Sequence, residues 1–251
     1  MLRTPPQVTV VALPGTGSDA DFAARAFGPA ALARGLAFHA VEPDPQAVIG
    51  SCTAALDAAA ARGPVLAAGI SLGAAIALDW AAEHSNAVVG VITALPAWTG
   101  AETASCPAAL SASVTAEQLR ADGLEAVIER MRASSPRWLA DALTQSWRRQ
   151  WPHLPAALDE AAGYAWPSPA ALAANNVPIA VVGASDDPVH PIAVAEEWAS
   201  TLPSARLHRV TLAELGADPA VLGHVGFAEL LTVIDQTTNS LAGQLISRVH
   251  G

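Results

Sequence analysis

Gly69-Ile70-Ser71-Leu72-Gly73 sets one hydroxyl inside an apolar stretch, with a glycine two residues to either side. A strand-like run precedes it and a helical pattern follows, so the chain must turn sharply at Ser71. Such a turn strains the serine backbone and projects its hydroxyl outward. A side chain at Gly69 or Gly73 would collide with neighbouring backbone. The helix beginning there has first-turn amides without intrahelical partners, so the Leu72 N–H is placed to meet developing negative charge. The plainer alternative is a tight glycine turn around a buried, satisfied serine.

A serine hydroxyl is a weak nucleophile at neutral pH. It needs a general base, and the base needs an orienting carboxylate. Asp186 and Asp187 end a later apolar run, in "GASDDPVHP". The chain has seven histidines. His39 and His208 fall within expected strands, His84 near a helix end, His153 in a helical region and His250 beside the last residue. His190 shares a turn with the two aspartates and reads as their neighbour rather than the partner of Ser71. His224, in "LGHVGF", follows the last expected strand. No HExxH and no paired Cys/His spacing is present, so neither a metal nor a cofactor is expected.

These side chains need a scaffold. Apolar runs at 8–15, 36–43, 64–70, 87–98, 177–187 and 205–212 read as strands. Helical patterns separate them, and a terminal helix is expected near 226–246. Alternation of this kind implies an α/β fold: a mostly parallel sheet of about six strands with helices on both faces. Residues 101–176 break the rhythm and show no strand. Within them Thr115 and Gln118 form a capping-box pair, opening a helix that carries Leu119, Leu124, Val127, Ile128 and Met131. Trp138, Leu139, Ala142, Leu143 and Trp147 recur on one helical face, and a shorter helix is expected at about 155–164. The organisation expected is a core of residues 1–100 and 177–251 with an all-helical cap of residues 101–176 inserted above the strand ends, where ligands sit in such sheets.

With G-x-S-x-G between strand and helix, and this order of elements over nearly the whole length, the sequence resembles the α/β-hydrolase superfamily. The resemblance implies a chain order of serine, acid, then histidine. It places the acid at Asp187, in the register Asp187-Pro188-Val189-His190-Pro191, with Asp186 one place off as the alternative. The aspartate not used would cap a turn. It places the base at His224. The loop after the first strand has Pro14-Gly15 where the family usually carries His-Gly, and the second oxyanion donor maps to the Thr16 amide. Since the donor is backbone, the departure leaves that role intact. Gly15 and Gly17 admit close approach to a ligand, while Ser18, Asp19 and Asp21 read as helix-capping groups. A phosphate-binding loop is the lesser alternative, because neither dinucleotide fingerprint nor Gly-Lys pair is present. Trp138, Trp147, Trp151 and Trp166, with Trp98 where the chain enters the insertion, would line an apolar acyl pocket or simply form the cap's own core. Gly15, Trp98, Trp138 and Trp147 are the expected substrate contacts; Arg148 and Arg149 read as solvated.

The expected activity is serine hydrolysis of a carboxylic ester or thioester of a small or apolar acyl substrate. The alternatives on the same site are acyl transfer, carbon–carbon bond hydrolysis and cofactor-free peroxidation, and beyond those a non-catalytic ligand-binding protein. Composition agrees. Hydrophobic residues make up 52% and charged residues 14% of 251, enough for a large buried core. A net charge of -10 argues against nucleic acid or an anionic membrane surface as partner. The uncharged stretch between Arg62 and Asp79 contains Pro64, Ser71 and glycines, and reads as strand, turn and helix rather than a membrane span. The first fifteen residues lack the pattern of a secretory leader. Cys52 and Cys106 form no disulfide framework, and a cytoplasmic setting is expected. The partner expected is a small-molecule ester or acyl substrate; oligomeric state is left open.

Overall fold

A computed structural model describes the backbone of residues 7–249 and the side-chain surroundings of residues 7–238. Residues 1–6, where the stretch read for a leader begins, and His250 lie outside the described residues.

Six strands form one sheet: β1 (Thr9–Leu13), β2 (Ala37–Ala40), β3 (Val65–Ile70), β4 (Val88–Ala94), β5 (Ile179–Ala184) and β6 (Ala205–Val210), in the order β2-β1-β3-β4-β5-β6. Every pairing is parallel. The strands alternate between two cores, with one register shift where β4 pairs with β3. Val11, Leu13, Val65 and Ala67 pack with α2 (Val48–Ala60), α3 (Leu72–Glu83) and α9 (Ile192–Thr201). Val10, Ala12, Leu66 and Ala68 pack with α1 (Ala20–Leu32) and α11 (Val221–Val249). The four inner strands therefore read as nearly continuous apolar runs because both their faces are covered, while the edge strands β2 and β6 carry exposed His39, Arg206 and Arg209. All six residues of β3 are buried. This central strand delivers Ser71 at its carboxyl end.

Between β4 and β5 run α4 (Pro107–Asp122), α5 (Leu124–Ser134), α6 (Arg137–Gln150), α7 (Leu154–Ala162) and α8 (Pro169–Ala174), with no strand among the described residues. The capping-box reading of Thr115 and Gln118 is corrected. Thr115 lies inside α4, and its hydroxyl donates back to the Ser111 carbonyl at 2.7 Å. The helix starts eight residues earlier, at Pro107, a first-turn proline whose missing N–H costs nothing there. It stops at Gly123, whose φ of 81° breaks the expected single helix in two. Where the segment leaves and rejoins the sheet its two arms are tied: the Gly100 amide donates to the Pro167 carbonyl and the Trp166 amide to the Gly100 carbonyl, each at 3.0 Å. Trp166 is buried there, packed against Trp98 with centroids 4.1 Å apart and the rings tilted by 31°. Trp151 is exposed.

The longest departure from the sequence reading follows β6. The stretch expected to be a loop up to His224 contains α10 (Leu212–Ala217), opened by a complete capping box of Thr211 and Glu214. α11 then begins at Val221, five residues before the expected start and upstream of His224. The glycines flanking His224 are helical contact glycines. A Cβ on Gly223 would stand 2.5 Å from the Ala26 carbonyl oxygen in α1, and one on Gly226 2.5 Å from the Ile92 side chain in β4. Among the described residues, no helix is long and apolar enough to cross a membrane.

Candidate active site

Ser71 joins β3 to α3 with φ 52° and ψ -115°, a left-handed conformation strained for a residue with a side chain. The neighbouring glycines explain how the turn survives. A Cβ on Gly69 would fall 2.1 Å from the Gly73 carbonyl oxygen, and one on Gly73 2.6 Å from the carbonyl oxygens of Leu13 and Pro14. Each collision is with backbone, which cannot swing aside. Gly69→Ala is therefore expected to destabilise the fold by about 3 kcal/mol or more, read as a lower urea midpoint in equilibrium unfolding. An unchanged midpoint would mean the turn is looser than drawn.

His190, on the loop between β5 and α9, meets the serine. Its Nε2 lies 3.0 Å from Ser71 Oγ and its Nδ1 lies 2.8 Å from Asp187 Oδ2. An ionised carboxylate only accepts, so Asp187 holds the imidazole proton on Nδ1. The Nε2 lone pair is left to accept from the Ser71 hydroxyl. Asp187 is itself fixed: its Oδ1 accepts from the Val189 amide at 2.8 Å and the His190 amide at 3.2 Å. Its side chain is 8% exposed. Burial by itself would raise its pKa. The hydrogen bond and charge of His190, with the two amides, outweigh that and hold the carboxyl below its ordinary value. Asp186 faces away, and its Oδ1 accepts from the Leu212 amide at 2.8 Å, tying the β5 loop to α10. The structure thus pairs Asp187, not Asp186, with an imidazole.

The expectation for His224 is corrected. The residue is exposed on α11 and is not on the wall of the cavity that holds Ser71. Gly223 and Gly226 mark the buried face of that helix, and His224 projects from another. His190, passed over as a mere neighbour, occupies the position expected of His224. The signal available was spacing: three residues from Asp187 within a turn bounded by Pro188 and Pro191 is close enough for a direct side-chain hydrogen bond.

Ser71, Asp187 and His190 open into a cavity of about 940 Å³. Gly15, Thr16, Trp98, Trp138 and Trp147 all lie on its wall. Trp147 also belongs to the core formed among α4, α5, α6 and α7, so it borders both the cavity and that core. Trp138 stacks on Phe22, and a Cβ on Gly216 of α10 would stand 2.5 Å from its indole. Leu212 and Leu215 line the cavity after β6, where the resemblance had implied the base. Asp187 and Arg130 are the only acidic or guanidinium side chains on the wall among the described residues, and Arg130 is paired with Asp122 at 2.6 Å. The Leu72 amide opens α3 and has no intrahelical carbonyl to bond; Thr16 lines the cavity next to Gly15, where a Cβ would come 3.5 Å from Ser71 Cβ. Cys52 offers no competing nucleophile: burial first, then the charge of Glu160, push its thiol up to about 12. No group of side chains suited to a metal ion occurs among the described residues.

A parallel sheet that delivers a strained serine from its central strand beneath helices inserted after the next strand defines the class. Residues 2–228 match the Alpha/beta hydrolase family, and the chain belongs to it. Solved structures similar to it include the enol-lactonase from Burkholderia xenovorans LB400, at 15% identity with a TM-score of 0.66, covering 92% of this chain and 94% of that one. A carboxylesterase of the thaumarchaeon Nitrososphaera gargenis is similar at 16% identity and a TM-score of 0.65, over 96% and 90%. MenH from S. aureus is similar at 17% identity and a TM-score of 0.63, over 98% and 96%. At these identities the likeness is one of fold. No curated protein matches the chain.

Proposed function

We propose that this chain is a serine hydrolase that cleaves a carboxylic ester or thioester through an acyl-enzyme, with Ser71 as nucleophile, His190 as base and Asp187 as orienting acid. The observation that carries this is the unbroken line of hydrogen bonds from Ser71 Oγ through His190 to Asp187, at the floor of an apolar cavity. Nε2 takes the hydroxyl proton as Oγ attacks the carbonyl carbon. The carbonyl oxygen becomes an anion facing the Leu72 and Thr16 amides. Collapse of the tetrahedral species expels the alkoxide or thiolate, which receives the proton from Nε2. Water, activated by the same nitrogen, then releases the acid and restores Ser71. Throughout, Asp187 favours the imidazolium.

Helices α4 to α7 act as a cap over this site. They supply Leu110, Val114, Met131, Leu143 and Leu158 to the cavity wall. With its one guanidinium already paired, the wall favours an uncharged, apolar acyl group. Among the superfamily's chemistries, ester or thioester cleavage asks for nothing beyond these groups and water. A fluorophosphonate is expected to add once, at Ser71, in intact-protein and peptide mass spectra. p-Nitrophenyl esters of graded length are expected to turn over, with butyrate to octanoate preferred to acetate. Absence of any adduct, with ligands still bound, would make the chain a binder instead.

A further inference from the structure

The loop that carries Thr16 is gripped from both sides. On the sheet side a Cβ on Gly15 would meet the Ile70 carbonyl oxygen at 3.3 Å. The Ser18 amide donates to the Gly15 carbonyl at 3.0 Å, closing a turn around Thr16. On the other side lies the last third of α6. Gln150, itself buried, donates from Nε2 to the Ser18 carbonyl at 2.9 Å and to Ser146 Oγ at 2.8 Å. Gln145 Nε2 and Arg149 Nη1 each lie 3.3 Å from Asp19 Oδ2. The other oxygen of Asp19 caps α1 through the Phe22 amide, and its side chain is 3% exposed. Between these contacts the Trp147 indole presses on Gly17: a Cβ there would stand 2.9 Å from Nε1. Arg149 is exposed, like Arg148, which pairs with Glu125 at the surface, but its Nη1 reaches in to the buried Asp19 carboxylate.

We infer that α6 is a positioning element for the oxyanion site: Gln145, Trp147, Arg149 and Gln150 hold residues 15–19 so that the Thr16 amide points at the developing oxyanion. This rests on the reading of Ser71 and Thr16 under Proposed function. None of the four α6 side chains need touch the reacting atoms. A carbonyl oxygen gains charge only on reaching the tetrahedral state, so an amide misplaced by a fraction of an ångström weakens that state and spares the ground state.

The test compares wild type with Gln150→Ala, and with Arg149→Ala and Arg149→Lys, whose surface-facing side chain can be changed without opening the core. p-Nitrophenyl butyrate gives kcat and KM. An aryl trifluoromethyl ketone, which adds Ser71 Oγ to its carbonyl carbon and leaves a hemiketal oxyanion, reports the charged state. The matching aryl trifluoromethyl alcohol reports the pocket alone. Removing an oxyanion donor outright lowers kcat by about 10²–10³-fold, which sets the ceiling. Gln150→Ala is expected to lower kcat and ketone affinity together by about 10–100-fold, with KM and alcohol affinity within about threefold. Arg149→Ala is expected to move the same two quantities by about 3–10-fold, and Arg149→Lys to recover most of the loss. Equal ketone affinity in wild type and both alanine variants would overturn the inference while leaving the hydrolase reading intact. A parallel fall in alcohol affinity would overturn it too, since the helix would then shape the pocket rather than the charge site. No hemiketal with wild type would overturn the hydrolase reading, and the role of α6 with it.

Discussion

His190→Ala is expected to lower kcat on p-nitrophenyl butyrate by about 10⁴–10⁶-fold, and His224→Ala to leave it within about twofold. The contrast follows from geometry. One imidazole bridges hydroxyl and carboxylate at 3.0 and 2.8 Å, and the other lies exposed on α11. Without Nε2 the Ser71 proton has no acceptor, and the backbone amides alone retain a residual rate. In the proposed mechanism hydroxyl and base act as one unit, so Ser71→Ala and the double variant Ser71→Ala with His190→Ala should be no slower than His190→Ala by more than a few fold. Circular dichroism should be unchanged in each. The opposite ranking of the two histidine variants would restore His224 as the base and require α10 and the start of α11 to rearrange.

Asp187→Asn is expected to cost about 10⁴-fold in kcat with little change in KM. An amide in that place can donate to Nδ1, which moves the imidazole proton to Nε2 and points it at the serine. The base is then present but blocked. Asp186→Asn should leave turnover nearly unchanged, because that side chain serves the Leu212 amide. Stability supplies a second measurement. The folded-state pKa of Asp187 lies below its ordinary value of 3.8, so its carboxylate stabilises the fold fully above that value. The contribution is lost as pH falls through the lowered folded value. Urea unfolding should therefore separate wild type from Asp187→Asn at pH 6, with the gap closing toward pH 2. A gap that widened on acidification would contradict the assignment of the carboxylate as the ionised partner of His190.

Much of the scaffold was legible in the amino-acid order. A strand covered on both faces must be apolar nearly throughout, and β1, β3, β4 and β5 show that signature; the edge strands β2 and β6 show it less, with His39 and with Arg206, His208 and Arg209 among their residues. The turn at Ser71 was legible because two backbone collisions leave glycine no substitute at 69 and 73. What failed depended on position by analogy. His224 was chosen for its place along the chain, and its flanking glycines look the same whether they loosen a loop or let a helix press against its neighbours. Pairing with Ile92 and with the Ala26 carbonyl decides between the two, and neither contact is visible locally. The capping box that does exist, Thr211 with Glu214, lay in the stretch read as loop; the one inferred, Thr115 with Gln118, fell mid-helix because the chain had already entered α4 at Pro107. The links from α6 to residues 15–19 join residues more than a hundred positions apart, and no periodicity announces them.

The proposed base and orienting acid, His190 and Asp187, lie three residues apart on one turn, which makes their pairing a property of local chain geometry. Relative motion of the sheet and the helices above it cannot separate them. Alignment for proton transfer then reduces to a single coordinate, the approach of that turn to the end of β3. An engineer transplanting the arrangement would need to reproduce one short loop and one distance, rather than bring three remote loops into register at once.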